Sequence, residues 1–148
     1  MAKFNFRLQQ YLGIKEQLEE QKELEYAKAL RLVEEEKYRL NFMIQNLKNT
    51  VLTLREAVKA SIDTYIILQH NNSIERMKHH IAAQRERLKA AEEFAEIKRL
   101  ELVEAMKERK ALETVKENAR ETFLKEVDIA ERKITDELVS FKYTVKNQ

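Results

Sequence analysis

A chain of 148 residues in which 36% of the side chains are charged and 43% hydrophobic, with no proline and one glycine, is too charged to enclose a large globular core and nearly lacks the residues that punctuate compact folds. Its 28 basic and 26 acidic residues leave a net charge of +2, and both signs are mixed along the whole length, so no basic face or run exists to capture nucleic-acid phosphates. There is no cysteine, which excludes a disulfide framework, a thiolate metal site and a thiol nucleophile.

The first residues, MAKFNFRLQQ, contain no apolar signal-like core, and the longest clean apolar run, Tyr65-Ile66-Ile67-Leu68, is far too short to span a bilayer. The expected location is the cytoplasm. Phe4, Leu8, Tyr11 and Leu18 open a helical rhythm that meets a second phase near Leu24 and Tyr26, where an insertion acts as a stutter. Gly13 inside that helix costs about 1 kcal/mol against alanine and reads as a weak point near a fraying end rather than a hinge. From Leu30 the steps alternate between three and four: Leu30, Val33, Lys37, Leu40, Ile44, Leu47, Val51, Leu54, Val58, Ser61, Tyr65, Leu68. Only Lys37 and Ser61 break the apolar pattern, which predicts a coiled-coil helix.

The second half begins with Ile74, Met77, Ile81, Leu88 and Ala91, after which Leu112, Phe123, Ile134 and Val145 lie eleven apart, as do Ala119, Ala130 and Phe141. An eleven-residue repeat predicts a nearly straight distal helix. The remaining faces are charged and read as solvated, with Glu35/Arg39, Glu121/Lys125 and Asp128/Arg132 in the favourable i,i+4 order. The expectation is one all-α domain over residues 1–148: an elongated antiparallel two-helix coiled-coil hairpin.

Two positions compete for the reversal. At Leu68–Ser73, asparagine suits a left-handed helix end and Ser73 an N-cap, placing the turn at 70–73. At Ala57–Asp63, Ser61 reads as the N-cap with Asp63 in the first turn, placing it at 59–62. Local propensity leans slightly toward the first.

The stretches KFNFRLQQYLGIKEQLEE and ERKALETVKENARETFLKEVDIAERKITDELVSFKY, and above all the paired aromatics of FNF and the ending DELVSFKY, resemble the FliJ family, the coiled-coil, chaperone-like component of the flagellar type III secretion apparatus. In that family a segment similar to His70-Asn71-Asn72-Ser73-Ile74, with aromatics where His70 and Ser73 stand, lies inside the second helix. The resemblance therefore implies a turn near residues 59–62, a first helix of about 4–58 and a second of about 62–145.

Of the aromatic residues, Phe4, Phe6, Tyr11, Phe141 and Tyr143 crowd the two termini, which an antiparallel hairpin brings to one end. Two readings stand together: the rings staple the hairpin shut, or they form an apolar plug for a partner's cavity. The resemblance implies that this end enters the ring of the export ATPase and promotes its assembly. It also implies that the turn-proximal region meets the cytoplasmic part of the export gate, that export chaperones are further partners, and that the protein sits peripherally at the inner face of the cell membrane. The gate-facing candidates carried over are Leu40, Met43, Leu47, Ile67, His70 and Ile74, of which Leu40, Leu47 and Ile74 also fall in the heptad seam.

No chemistry emerges from the remaining residues. His70, His79 and His80 offer no i,i+4 pair to hold a metal, and Ser61, Ser73 and Ser140 have no histidine arranged to activate them. No glycine-rich loop cradles a phosphate. The expectation is a non-enzymatic protein without cofactor, direct membrane insertion or nucleic-acid partner. The rival expectation is a homo-oligomeric scaffold whose Leu30–Leu68 heptads pair between chains.

Overall fold

The computed structural model describes residues 2–61 and 63–146. Two helices account for nearly all of them: α1 over Gln9–Ala60 and α2 over Thr64–Lys146, of 52 and 83 residues. Among the described residues there is no strand. With no proline and one glycine, nothing in either sequence interrupts the backbone ladder. The helix bounds differ from expectation at the first end only by a few residues: α1 begins at Gln9 rather than near residue 4. Ahead of it the Gln9 amide donates to the Phe6 carbonyl at 3.1 Å, closing a turn.

His70-Asn71-Asn72-Ser73 lies inside α2, so the local turn signal is overruled. The chain reverses between the Ser61 amide, which still donates to the Ala57 carbonyl at 3.1 Å, and Asp63, whose carbonyl accepts the Ile67 amide at 3.1 Å. Ile62 falls outside the described residues. The cap of α2 is Asp63, not Ser61, because the Asp63 carboxylate accepts the Tyr65 amide at 3.0 Å. An anion there also faces the positive end of the helix dipole.

The contacts group into two units, Gln21–Val103 and the terminal stretches up to Glu20 and from Glu104 onward. In the first, the two helices pair antiparallel around the turn. Its buried centre is Ala29 and Val33 of α1 against Ala91 and Ala95 of α2, with Leu88 beside them. Buried and half-buried positions advance in strict steps of three and four: Tyr26, Ala29, Val33, Glu36, Leu40, Met43, Leu47 on α1 and Ile67, His70, Ile74, Met77, Ile81, Gln84, Leu88 on α2. This is the alternation of a left-handed coiled coil.

The seam keeps Val33, Leu40, Leu47 and Leu54 of the apolar pattern on α1, and Ile74, Met77, Ile81, Leu88 and Ala91 on α2, but the alternate positions of α1 lie one residue earlier than expected. Ala29 is 2% exposed whereas Leu30 is 44% exposed, and Glu36 rather than Lys37 occupies the seam. Leu24, near which a stutter was expected, and Tyr11 of the opening rhythm are exposed, while Leu12 is buried. Polar residues hold several seam positions because they have partners. The Gln84 amide donates to the Glu36 carboxylate and, at 3.2 Å, to the Glu36 carbonyl. Lys22, Glu25, Lys98 and Glu101 close a ring of alternating charge with contacts of 3.1–3.4 Å. Lys98 and Lys22 hold Glu25 and Glu101 below the usual carboxylate range, and the two carboxylates hold the ammonium groups of Lys22 and Lys98 above theirs. Of the i,i+4 pairs expected on the outer faces, Lys125–Glu121 and Arg132–Asp128 form at 2.9 Å, while Arg39 turns instead to the seam residue Glu36 at 3.4 Å.

Of the Leu30–Leu68 heptad, Val33, Leu40, Leu47 and Leu54 pack within the chain, while Leu30, Val58, Tyr65 and Leu68 are exposed. The eleven-residue spacing is present in the half-buried face: Leu112, Lys116, Ala119, Phe123 and Val127 follow one another at four, three, four and four, the alternation of an eleven-residue repeat rather than of a heptad.

Gly13 lies within α1 with nothing within 4 Å of the position a Cβ would occupy, and its φ is not positive. Gly13→Ala should therefore stabilise the helix by about 0.5–1 kcal/mol, seen as a raised midpoint in urea unfolding followed by circular dichroism. An unchanged or lower midpoint would mean that the backbone there is not simply helical in solution.

Candidate terminal docking surface

The terminal unit divides the five aromatic candidates into two groups. Phe6 is buried and Phe4 half-buried, the Phe4 ring tilted against Phe123 of α2 with centroids 5.5 Å apart. These rings, with Leu12 behind them, hold the N-terminal stretch to α2. Polar contacts continue the attachment: the Lys15 ammonium meets Glu108 at 2.7 Å, and the Arg109 guanidinium bridges Glu19 and Glu113. Those carboxylates keep Lys15 and Arg109 above their ordinary pKa values. Tyr11 points outward with the Lys15 ammonium 5.2 Å from its ring centre.

Phe141 and Tyr143 do none of this. They lie 18 and 20 residues beyond Phe123 in sequence, about 27–30 Å along the helix, and are 67% and 72% exposed. Every described residue from Asp128 to Lys146 is exposed. Phe4 and Phe6 belong to the attachment of the N-terminal stretch, whereas Phe141 and Tyr143 belong to a length of α2 that no other described residue covers.

That length is unusually apolar for a solvated helix. Ile129, Ile134, Leu138, Val139, Phe141, Tyr143 and Val145 are each more than half exposed; Ile134, Leu138, Phe141 and Val145 share one face of the helix, and from Leu138 onward only Lys142 and Lys146 are charged. Large apolar side chains gathered and exposed on one face normally mark a surface that a partner covers. The sequence carried this signal in DELVSFKY; Phe123, the ring that receives Phe4, stood in it too, but as part of an eleven-residue pattern rather than of the staple.

The other candidate set lies near the turn. Leu40, Met43, Leu47, Ile67 and His70 are half-buried and Ile74 is buried, so all six occupy seam positions. The exposed apolar side chains of that region are their neighbours Tyr38, Phe42, Leu52, Val58, Tyr65, Ile66 and Leu68. The seam periodicity, once correctly phased, separates the two sets.

Among the described residues no group of three His, Asp or Glu side chains is placed to hold a metal ion, and no helix is long and apolar enough to cross a membrane.

Comparison with known proteins adds a family and a fold. The sequence model of the family described as "Flagellar FliJ protein" matches residues 4–148. A solved structure from Chlamydia trachomatis, CT670, described as a candidate YscO homolog, is similar with a TM-score of 0.64 and 22% identity, over 99% of each chain. No curated protein matches.

Proposed function

Because the chain belongs to the flagellar FliJ protein family, we propose that it is a non-enzymatic, cytoplasmic stalk of the flagellar type III export apparatus. Its terminal end enters the ring of the export ATPase and promotes ring assembly, and its turn-proximal end meets the cytoplasmic domain of the export gate. Export chaperones are further partners, and the association with these components keeps it at the inner face of the membrane. One observation carries this reading: the uncovered apolar end of α2 around Phe141 and Tyr143. Large exposed rings and aliphatic side chains at a solvated helix end become favourable when a partner covers them.

In this reading the plug is Phe141, Tyr143 and their neighbours, while Phe4 and Phe6 act indirectly by holding the N-terminal stretch beside Phe123; Tyr11 lies at the rim. At the gate-facing end Leu40, Met43, Leu47, Ile67, His70 and Ile74 support the surface from the seam. Their exposed neighbours Tyr38, Phe42, Tyr65 and Leu68 present it.

Purified protein should raise the turnover of the cognate export ATPase. Phe141→Ala/Tyr143→Ala should remove most of that stimulation while leaving helicity and melting temperature unchanged, since neither ring packs against the chain. Equal stimulation by the double variant would refute the plug, and failure of the unaltered protein to stimulate would refute the stalk.

A further inference from the structure

The seam of α2 does not stop where its partner stops. Val127, Ala130, Ile134, Leu138, Phe141 and Val145 continue it, all within about 40° of one line when plotted at 3.6 residues per turn. Val127 is half-buried and the other five are exposed. We propose that this extension is a homotypic docking face, on which a second copy of the chain packs antiparallel through the same residues.

The pattern is nearly its own reverse. A two-fold axis beside Asp136 sets Val127 opposite Val145 of the second copy and Ile134 opposite Leu138 of the second copy. Ala130 then lies within one residue of Phe141 of the second copy, a small side chain against the largest in the stripe, as interdigitated packing needs. A two-fold antiparallel pair also brings each flank of the stripe against the same flank of the other copy. Glu131 and Lys142 share one flank. At this register Glu131 faces Lys142 of the second copy within one residue, and the symmetry makes the contact twice. A parallel arrangement would instead set this flank against the opposite one, so Glu131 would not meet Lys142 of the second copy. The paired length is only about two and a half heptads, so the interface is small and the association weak.

Such a pair covers the apolar stripe that the ATPase would otherwise enclose, but the inference rests on the spacing and charge of residues 127–145 and not on the ATPase reading. A chain that stays monomeric yet stimulates the ATPase defeats this inference alone. A chain that dimerises yet does not stimulate defeats only the functional proposal.

Sedimentation equilibrium of the full chain from 1 to 300 µM should show monomer passing to dimer, with Ile134→Lys remaining monomeric throughout. Glu131→Lys and Lys142→Glu should each weaken dimerisation about tenfold, and the two together should restore it, because the swapped charges again meet opposite partners. The chain lacks cysteine, so single spin labels at Asp136→Cys and Lys125→Cys report pair distances cleanly. The antiparallel register places the 136 labels at the same level and the 125 labels about 33 Å apart along the axis. A monomer across the whole range, a dimer indifferent to Ile134→Lys, absence of rescue by the charge swap, or equal distances at the two labels would each overturn the proposal.

Discussion

Gln84→Leu should destabilise the hairpin unit by about 2–4 kcal/mol, far more than the loss of one hydrogen bond. The amide it removes is the donor that meets the Glu36 carboxylate and the Glu36 carbonyl across the seam. Gln84 and Glu36 are 3% and 7% exposed, so the variant leaves a carboxylate facing apolar side chains with only Arg39, at 3.4 Å, still in reach. The cost of an unpaired buried charge exceeds the net worth of the pair that satisfied it. Glu36→Leu/Gln84→Leu should then recover most or all of the loss, since two leucines at adjoining seam positions pack as any heptad does. Urea unfolding measures both. A single variant within 0.5 kcal/mol of the parent, or a double variant no better than the single, would show that this pair is not desolvated in solution. The polar pair also singles out one alignment of the two helices. Spin labels at the exposed positions Glu34 and Ala90 should give one narrow distance in the parent and a broader distribution in the double variant.

The second large effect is expected from adding volume rather than removing a partner. Ala29, Ala91 and Ala95 let the two helices approach closely around Val33, and a leucine at Ala95 has no space to enter without moving a helix. Ala95→Leu should cost about 1–3 kcal/mol, whereas Ala90→Leu, one turn away on the exposed side, should change stability by less than about 0.5 kcal/mol. Combining Ala95→Leu with Val33→Ala should return part of the loss, because the smaller partner makes room. Thermal melts of the four proteins decide this. If Ala95→Leu is neutral, the alanine contact is looser than described.

The contrast between leucine and alanine also explains how far the sequence was legible. Two long helices, the hairpin and a turn close to residue 61 followed from the scarcity of glycine and proline, the heptads and the family resemblance. Ile74, Met77, Ile81, Leu88 and Ala91 of α2 and Val33, Leu40, Leu47 and Leu54 of α1 stand in the seam as expected, but the alternate positions of α1 did not follow. Leu30, Leu24 and Tyr11 are among the larger apolar side chains of their stretches, yet they face solvent while Ala29 and Leu12 are buried. A reading that ranks positions by apolarity assumes that charge stays outside. Here Lys15, Glu19, Lys22, Glu36 and Arg109 hold half-buried or buried seam positions because each meets an opposite charge or an amide. Such pairing is a property of two segments 48 to 93 residues apart, so neither segment shows it alone. The cap was misplaced for a related reason. Ser61 and Asp63 are both acceptable caps, and only the direction of the Tyr65 amide distinguishes them. Of the site, the clustering of aromatics at the termini was legible. Their division was not, because it depends on Phe4 reaching Phe123 and on the N-terminal stretch ending before the helix that it accompanies.

An unbroken alternation of three and four on both helices of the unit Gln21–Val103 turns length into a quantised variable. Removing seven residues from each arm at facing positions shortens the hairpin by about 10 Å and leaves every remaining pair on the same face. Removing seven from one arm alone slides each pair by two turns. Removing three or four from one arm also rotates the following segment by tens of degrees. Any lineage or engineer altering the reach of this molecule is thus confined to matched steps of seven, and the spacing between whatever the two ends engage can change only in increments of about a nanometre.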